Sequence, residues 1–181
     1  MELNRFLDGR VVVKIGDLTK EETDAIVNAA NWTLLGGGGV DGTIHAAGGP
    51  EILKRCREIR ATTHPDGLPT GEAVITTGGS LRARHVIHTV GPIYGTEVGR
   101  EAELLANAYS NSLRLAVDNL LKTIAFPSIS TGVYSYPKTE AARVSSSAIS
   151  EFLKAEELIE QVRLVFFKQN DAEIFLANCT F

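Results

Sequence analysis

Short apolar runs alternate along this chain with segments whose apolar residues recur every three or four positions. That alternation confines the chain to layered α/β folds. Strands are predicted over residues 11–15, 25–28, 73–77, 85–90, 123–127 and 162–167. The last four are short and mostly apolar, as strands covered on both faces must be. Helical spacing joins Leu105, Tyr109, Leu113, Ala116 and Leu120. It also joins Ala141, Val144, Ala148 and Phe152, with Ala142, Ser145 and Ile149 alongside. Gly49-Pro50 opens a further helix with proline at its first position, and Ile52, Leu53, Cys56 and Ile59 form its apolar face. Residues 171–181 read as a short closing helix, and 62–71, with two prolines and two glycines, as a loop. A length of 181 residues suits one core, and no repeat or linker divides it, so 1–181 reads as one domain.

Chemistry concentrates where the strand at 25–28 ends. Asn28-Ala29-Ala30-Asn31 is followed by Gly36-Gly37-Gly38-Gly39-Val40-Asp41-Gly42 and a helix-like segment over 42–47. Consecutive glycines between a strand and a helix let backbone N–H groups close on an anion, with the helix dipole behind them. An Asn upstream and an Asp inside that cradle can hold a hydroxyl or a water. The pattern points to a phosphate-containing ligand with a sugar at its reactive end. Asn28 ends the apolar strand and reads as a tie to local backbone, whereas Asn31 reads as facing the ligand. Asp41 and His45, four apart, share one helical face. Asp41 then either caps the helix or directs a water beside the phosphates. A second turn, Ser128-Ile129-Ser130-Thr131-Gly132-Val133-Tyr134-Ser135-Tyr136-Pro137, again joins a strand to a helix. Two such loops can clamp a diphosphate. Tyr134 and Tyr136 either close the mouth over a sugar or cover the core. Gly16-Asp17-Leu18-Thr19 follows the first strand; on these four residues alone Asp17 reads first as a cap, and second as an acceptor for an exocyclic amine such as that of adenine.

Other classes are disfavoured. A net charge of -4 is unsuited to general nucleic-acid binding, but does not oppose a small phosphorylated ligand held by backbone amides. No apolar run approaches a membrane span, and the first residues lack the pattern of a signal peptide. With only Cys56 and Cys179 there is no disulfide framework, and the cytoplasm is the expected compartment. No metal site is expected. His85 and His88, three apart on a strand, face opposite sides, and His45 and His64 lack a Cys or acidic partner at zinc spacing. Cys56 sits on an apolar stripe, which argues against a nucleophile, and Ser145-Ser146-Ser147 reads as a close-packing helix face.

Taken in order, Gly16-Asp17-Leu18-Thr19, Ala25-Ile26-Val27-Asn28-Ala29-Ala30-Asn31, the run from Gly36 to Gly42, Pro69-Thr70-Gly71-Glu72-Ala73, Val86-Ile87-His88-Thr89-Val90-Gly91-Pro92, and Ala125-Phe126-Pro127 through Gly132-Val133-Tyr134 resemble a macrodomain. They are similar in particular to the MacroD-type ADP-ribosyl hydrolases. The resemblance covers almost the whole chain. It implies a three-layer α/β/α sandwich with a mixed central sheet and an ADP-ribose cleft at its crest. It implies that Asp17, beside Leu18, holds the adenine amine, against the cap reading, and that Phe167 lies on the adenine face. Gly37, Gly38, Gly39 and Val40, with Ser130, Thr131, Gly132, Val133 and Tyr134, would hold the diphosphate. Asn31 would contact the distal ribose, Asp41 would be the catalytic acidic residue, and His45 would support it. The implied substrates are O-acetyl-ADP-ribose and proteins ADP-ribosylated on aspartate or glutamate, cleaved by water with no metal and no cofactor. Asp41 would either activate that water or orient it while a ligand phosphate helps. The Asp in Gly39-Val40-Asp41-Gly42 favours a hydrolase over a non-catalytic reader or a regulatory partner of another protein such as an RNase. Two positions depart from the subgroup: Ser135 stands where glycine is usual, which would be strained at positive φ, and Lys168 stands where an acidic residue often follows the aromatic.

Overall fold

The computed structural model describes residues 1–181. Seven strands form one sheet: β1 (Glu2–Phe6), β2 (Val11–Ile15), β3 (Ala25–Ala29), β4 (Ala73–Thr77), β5 (His85–Thr89), β6 (Thr123–Phe126) and β7 (Gln161–Phe166). Five helices accompany it: α1 (Gly39–Gly48), α2 (Pro50–Thr62), α3 (Glu101–Asp118), α4 (Lys138–Ala155) and α5 (Gln169–Asn178). The strand order is β1-β2-β7-β6-β3-β5-β4. The five inner strands run parallel, and β1 and β4 close the edges antiparallel. This is the mixed α/β/α sandwich that the sequence motifs imply.

The strand sequences explain the layering. Side chains alternate between faces along each strand. Val11, Val13, Val27, Ile87, Phe126 and Leu164 are buried on the face that takes α3, α4 and α5. Ile26, Val74, Val86, Ala125 and Val165 are buried on the other, against Ile44 of α1 and Ile52 and Cys56 of α2. Arg10 ties the layers at the far end from the site: its guanidinium donates to the carbonyls of Leu153 at 2.8 Å and Glu156 at 2.6 Å, groups left open where α4 ends.

Two features escape the periodicity. Strand β1 is missing from the predicted strands because this edge strand carries few apolar residues; of its residues, Leu3 and Phe6 alone pack on the core. Leu120 extends the apolar stripe of α3 in the sequence, but that helix ends at Asp118. Leu120 follows at φ +57° and lies exposed.

Because β2, β3, β5, β6 and β7 are parallel, their carboxyl ends share one edge of the sheet. The chain leaves β3 toward α1 on one face and leaves the adjacent β6 toward α4 on the other. Such a reversal opens a crevice between neighbouring strands, the usual place for a ligand in an open α/β sheet.

Candidate functional site

Both glycine-bearing loops flank this crevice. The first runs from Asn31 to the start of α1, whose N-cap, Gly38, makes no side-chain cap bond. The amides of the first turn are therefore open, beside glycines 37–39, which are exposed. The second loop follows β6. Gly91, after β5, fits against it so closely that a methyl group there would stand 2.2 Å from Ser130 Oγ and 2.5 Å from Ile129 Cγ2. Ser130 Oγ is buried without a hydrogen-bond partner. The helix after this loop begins only at Lys138, whose ammonium pairs with Asp171 at 2.7 Å. The second loop thus joins strand to helix as the sequence pattern predicts, with the turn from Ser128 to Pro137 standing ahead of the first residue of α4.

Asp41 lies in the first turn of α1 and is buried, so it is not the cap. Its Oδ1 accepts a hydrogen bond from Asn28 Nδ2 at 2.6 Å and lies 3.4 Å from His45 Nε2. The His45 contact is close but poorly aligned, and leaves Nε2 without a hydrogen-bond partner. Oδ2 faces the glycine loop: a methyl on Gly37 would be 3.1 Å from it and 3.1 Å from Asn31 Nδ2. Burial alone would raise the Asp41 pKa. The contacts with His45 and Asn28 outweigh it, and the carboxyl is held below the ordinary aspartate value.

Asn28 is a correction to the sequence reading. It is fully buried and bonds no backbone; it holds Asp41 and, at 3.1 Å, meets His88 Nδ1. Asn31 shows the reverse. Its Oδ1 accepts from the backbone and hydroxyl of Thr33, and its Nδ2 donates to Gly36 O at 3.1 Å. It braces the glycine loop with one Nδ2 hydrogen remaining.

The other candidates lie along the same edge. Asp17 does cap: its Oδ1 accepts from Thr19 N at 2.9 Å and Thr19 Oγ1 at 2.7 Å. Leu18 is buried beneath it, and Val40 is half-buried. Phe167 follows β7 and is 83% exposed, an unusual position for a phenyl ring without a partner. Tyr134 is half-buried at the mouth, where burial and then the Asp41 charge raise its pKa. Tyr136 is buried in the core, so it covers the sheet and does not close the mouth. Thr131 Oγ1 is turned back onto Ser128, while Gly132 and Val133 are exposed.

Ser135 adopts φ +56°. The loop imposes that conformation: Ser135 N donates to Gly132 O, Tyr136 N to Ser130 O, and Tyr94 N to Tyr134 O, each at 3.0 Å. A left-handed non-glycine residue costs about 1–2 kcal/mol, partly offset by the entropy a glycine loses on folding. Ser135→Gly is therefore expected to stabilise the protein by about 0.5–1 kcal/mol in urea unfolding. An unchanged or lowered stability would show that serine is comfortable there.

His88 was not singled out by the sequence. It is the one polar side chain of β5 on the α1–α2 face and is fully buried, in register with Asn28 on β3. Folding brings His45, Cys56 and His88 together, with candidate ligand atoms within 4.8 Å of one another, a cluster that linear spacing could not reveal. Its protons are placed by its neighbours. Ionised Asp41 can only accept, so the Asn28 atom facing it at 2.6 Å is Nδ2. The same Nδ2 faces His88 Nδ1, so Nδ1 accepts and the ring proton sits on Nε2, 2.9 Å from Thr76 Oγ1. Burial, then the nearby His45, push the His88 pKa down to about 3, so the ring is neutral. Burial, then Asp41, push the Cys56 thiol up to about 12. A metal bound here would have to displace both the Nε2 proton and the thiol proton.

Residues 27–145 match the profile of the Macro domain family. The chain is 54% identical over 160 residues to a macro domain-containing protein of Cupriavidus necator, covering 88% of this chain and 91% of that one. It is 46% identical over 169 residues to an Escherichia fergusonii protein named O-acetyl-ADP-ribose deacetylase, covering 93% and 94%. A solved structure of an Oceanobacillus iheyensis macrodomain variant with ADPR superposes with a TM-score of 0.91 at 46% identity, covering 98% of this chain and 95% of that one.

Proposed function

The chain belongs to the macrodomain family, and on that premise we propose that it binds ADP-ribose and hydrolyses esters at the distal ribose. The substrates are O-acetyl-ADP-ribose and ADP-ribosyl esters of aspartate and glutamate side chains. The observation that carries this reading is Asp41: a buried carboxylate with one oxygen fixed by Asn28 and the other turned to the glycine loop. A reader that only binds has no use for such a group. The names of relatives support the same chemistry, since one is an O-acetyl-ADP-ribose deacetylase and a neighbouring structure carries ADPR.

In this reading the open amides of α1 and the turn from Ser130 to Tyr134 hold the diphosphate from two sides. Phe167 covers one face of the adenine, and Asp17, whose Oδ1 is occupied by Thr19, offers Oδ2 to the adenine amine. Asn31 gives its remaining Nδ2 hydrogen to the distal ribose. Asp41 Oδ2 accepts a hydrogen bond from the attacking water. A carboxylate held below the ordinary aspartate pKa is a weak base at neutral pH, so Asp41 aligns the water more than it removes its proton. Hydroxide adds to the acyl side and hydrogen to the ribose side, leaving a free carboxylic acid and ADP-ribose.

The test is turnover of both substrates, O-acetyl-ADP-ribose and a glutamate-linked ADP-ribosyl peptide, followed by release of ADP-ribose. Release from both is expected. Binding of ADP-ribose with no release from either would make the protein a reader, and failure to bind ADP-ribose would remove the reading altogether.

A further inference from the structure

The buried polar chain behind Asp41 starts at the edge of the sheet. Thr76 of β4, His88 of β5, Asn28 of β3 and Asp41 of α1 are linked in sequence by contacts of 2.9, 3.1 and 2.6 Å. His88 and Asn28 are cross-strand partners, so the sheet register sets their separation. The two Nδ2 hydrogens of Asn28 have one acceptor each, Asp41 Oδ1 and His88 Nδ1, while Asn28 Oδ1 has none. We propose that His88 is a positioning residue: as an acceptor through Nδ1 it pins the Asn28 amide in the one rotation that presents N–H to Asp41, and so aims Asp41 Oδ2 at the water. The proposal rests on the hydrolase reading above for its kinetic consequence, but its hydrogen-bond logic stands on the geometry alone.

The dependence on His88 follows from what an apolar replacement would leave. Asn28 would then have an unmet Nδ2 hydrogen as well as an unmet Oδ1, both buried. The amide torsion is broad, so the group would turn in search of partners and carry Nδ2 off Asp41. The chain can end at Thr76: its Oγ1 can accept the Nε2 hydrogen of His88, because its own hydrogen has the carbonyl of Thr77 at 3.1 Å. Nothing in the chain can reverse direction while Asp41 is ionised.

Three proteins test this: the parent, His88→Leu and His88→Asn. Leucine removes the acceptor at similar volume, and asparagine restores a side-chain oxygen that can reach Asn28. His88→Leu is expected to lower kcat roughly tenfold to a hundredfold, as small misplacements of a reacting group do, with ADP-ribose affinity within about threefold. His88→Asn is expected to recover most of that loss. The second readout is the Asp41 titration by carbon-detected NMR on ligand-free protein. The ionisable groups facing Asp41 are His45 from α1, Cys56 from α2, His88 from β5 and Tyr134 from the loop after β6. All but His88 are common to the three proteins. Loss of the Asn28 bond should raise the Asp41 pKa in His88→Leu, and His88→Asn should bring it back down. A structural defect alone would not produce that pairing. The proposal is overturned if His88→Leu keeps the parent kcat and Asp41 titration, or if the asparagine variant is no better than leucine in both readouts. Nitrogen shifts of the parent protein provide a check that needs no variant: a His88 proton on Nδ1 instead of Nε2 also overturns it. If the parent turns over neither ester, the hydrolase reading fails, while the titration and the tautomer still decide the role of His88.

Discussion

Asp41→Ala is expected to slow ester hydrolysis by about 10²–10⁴-fold while changing ADP-ribose affinity far less, because a positioned group acts on the attacking water and not on the bound nucleotide. Asp41 is the acidic side chain that the fold places against Gly37, with Oδ2 facing the loop. Removing it also leaves one Asn28 Nδ2 hydrogen without an acceptor, which costs about 1–3 kcal/mol of stability. Rates should therefore be compared per folded molecule, with a melt alongside. The pH dependence has a definite sign. The Asp41 pKa is lowered by folding, so the ionised form prevails throughout the neutral range. Turnover should fall only as pH drops through that lowered value. The stability Asp41 contributes is present above its unfolded pKa and is lost over the same acidic descent. Near-parent hydrolysis by Asp41→Ala would move the chemistry to the ligand phosphate or another residue.

The parts of this site that could be read from sequence are those whose signal is local. The run from Gly36 to Gly39 between an apolar strand and a helix is a local pattern, and it lies where the pattern places it, beside the open first turn of α1. Inner strands were legible because parallel strands buried on both faces are short apolar runs, whereas β1, on the edge, was not. Ser135 was legible through its departure from a family pattern, and its φ of +56° explains why glycine is usual there.

What escaped depends on contacts distant in sequence. Asn28 looked like a strand-end tie because its partners, Asp41 and His88, lie 13 and 60 residues away. For His88 the sequence offered only its place in a strand, on the opposite face from His85. The alternation of faces, correctly separating it from His85, already put it beside Asn28 once β3 and β5 were paired, but strand order is not a local property. Asp17 caps through Oδ1, as the four residues favour, and that role leaves Oδ2 free of the cap.

Gly42→Ala should damage both fold and site. A methyl at Gly42 would stand 2.5 Å from Gly37 O, a backbone atom with no rotamer to change. Either α1 or the glycine loop must move. Overpacking of this kind typically costs about 1–3 kcal/mol. The displaced peptide is the one that lies against Asn31 Nδ2 and Asp41 Oδ2, so turnover is expected to fall about tenfold or more beyond the loss of folded protein. Gly38→Ala is the informative partner. Gly38 has φ -97°, and a methyl there meets nothing within 4 Å, so the cost is only that of alanine at an N-cap, about 0.5–1 kcal/mol. If that open space is where the ligand phosphate approaches the backbone, Gly38→Ala will weaken ADP-ribose binding per folded molecule by more than its small effect on the melt can explain. Calorimetry and unfolding on the two variants then separate two reasons for glycine in one loop. Gly42 is needed because the protein's own backbone is too close, and Gly38 because the ligand is. Parent-like stability and kinetics in Gly42→Ala would mean that the loop yields freely and does not hold the site.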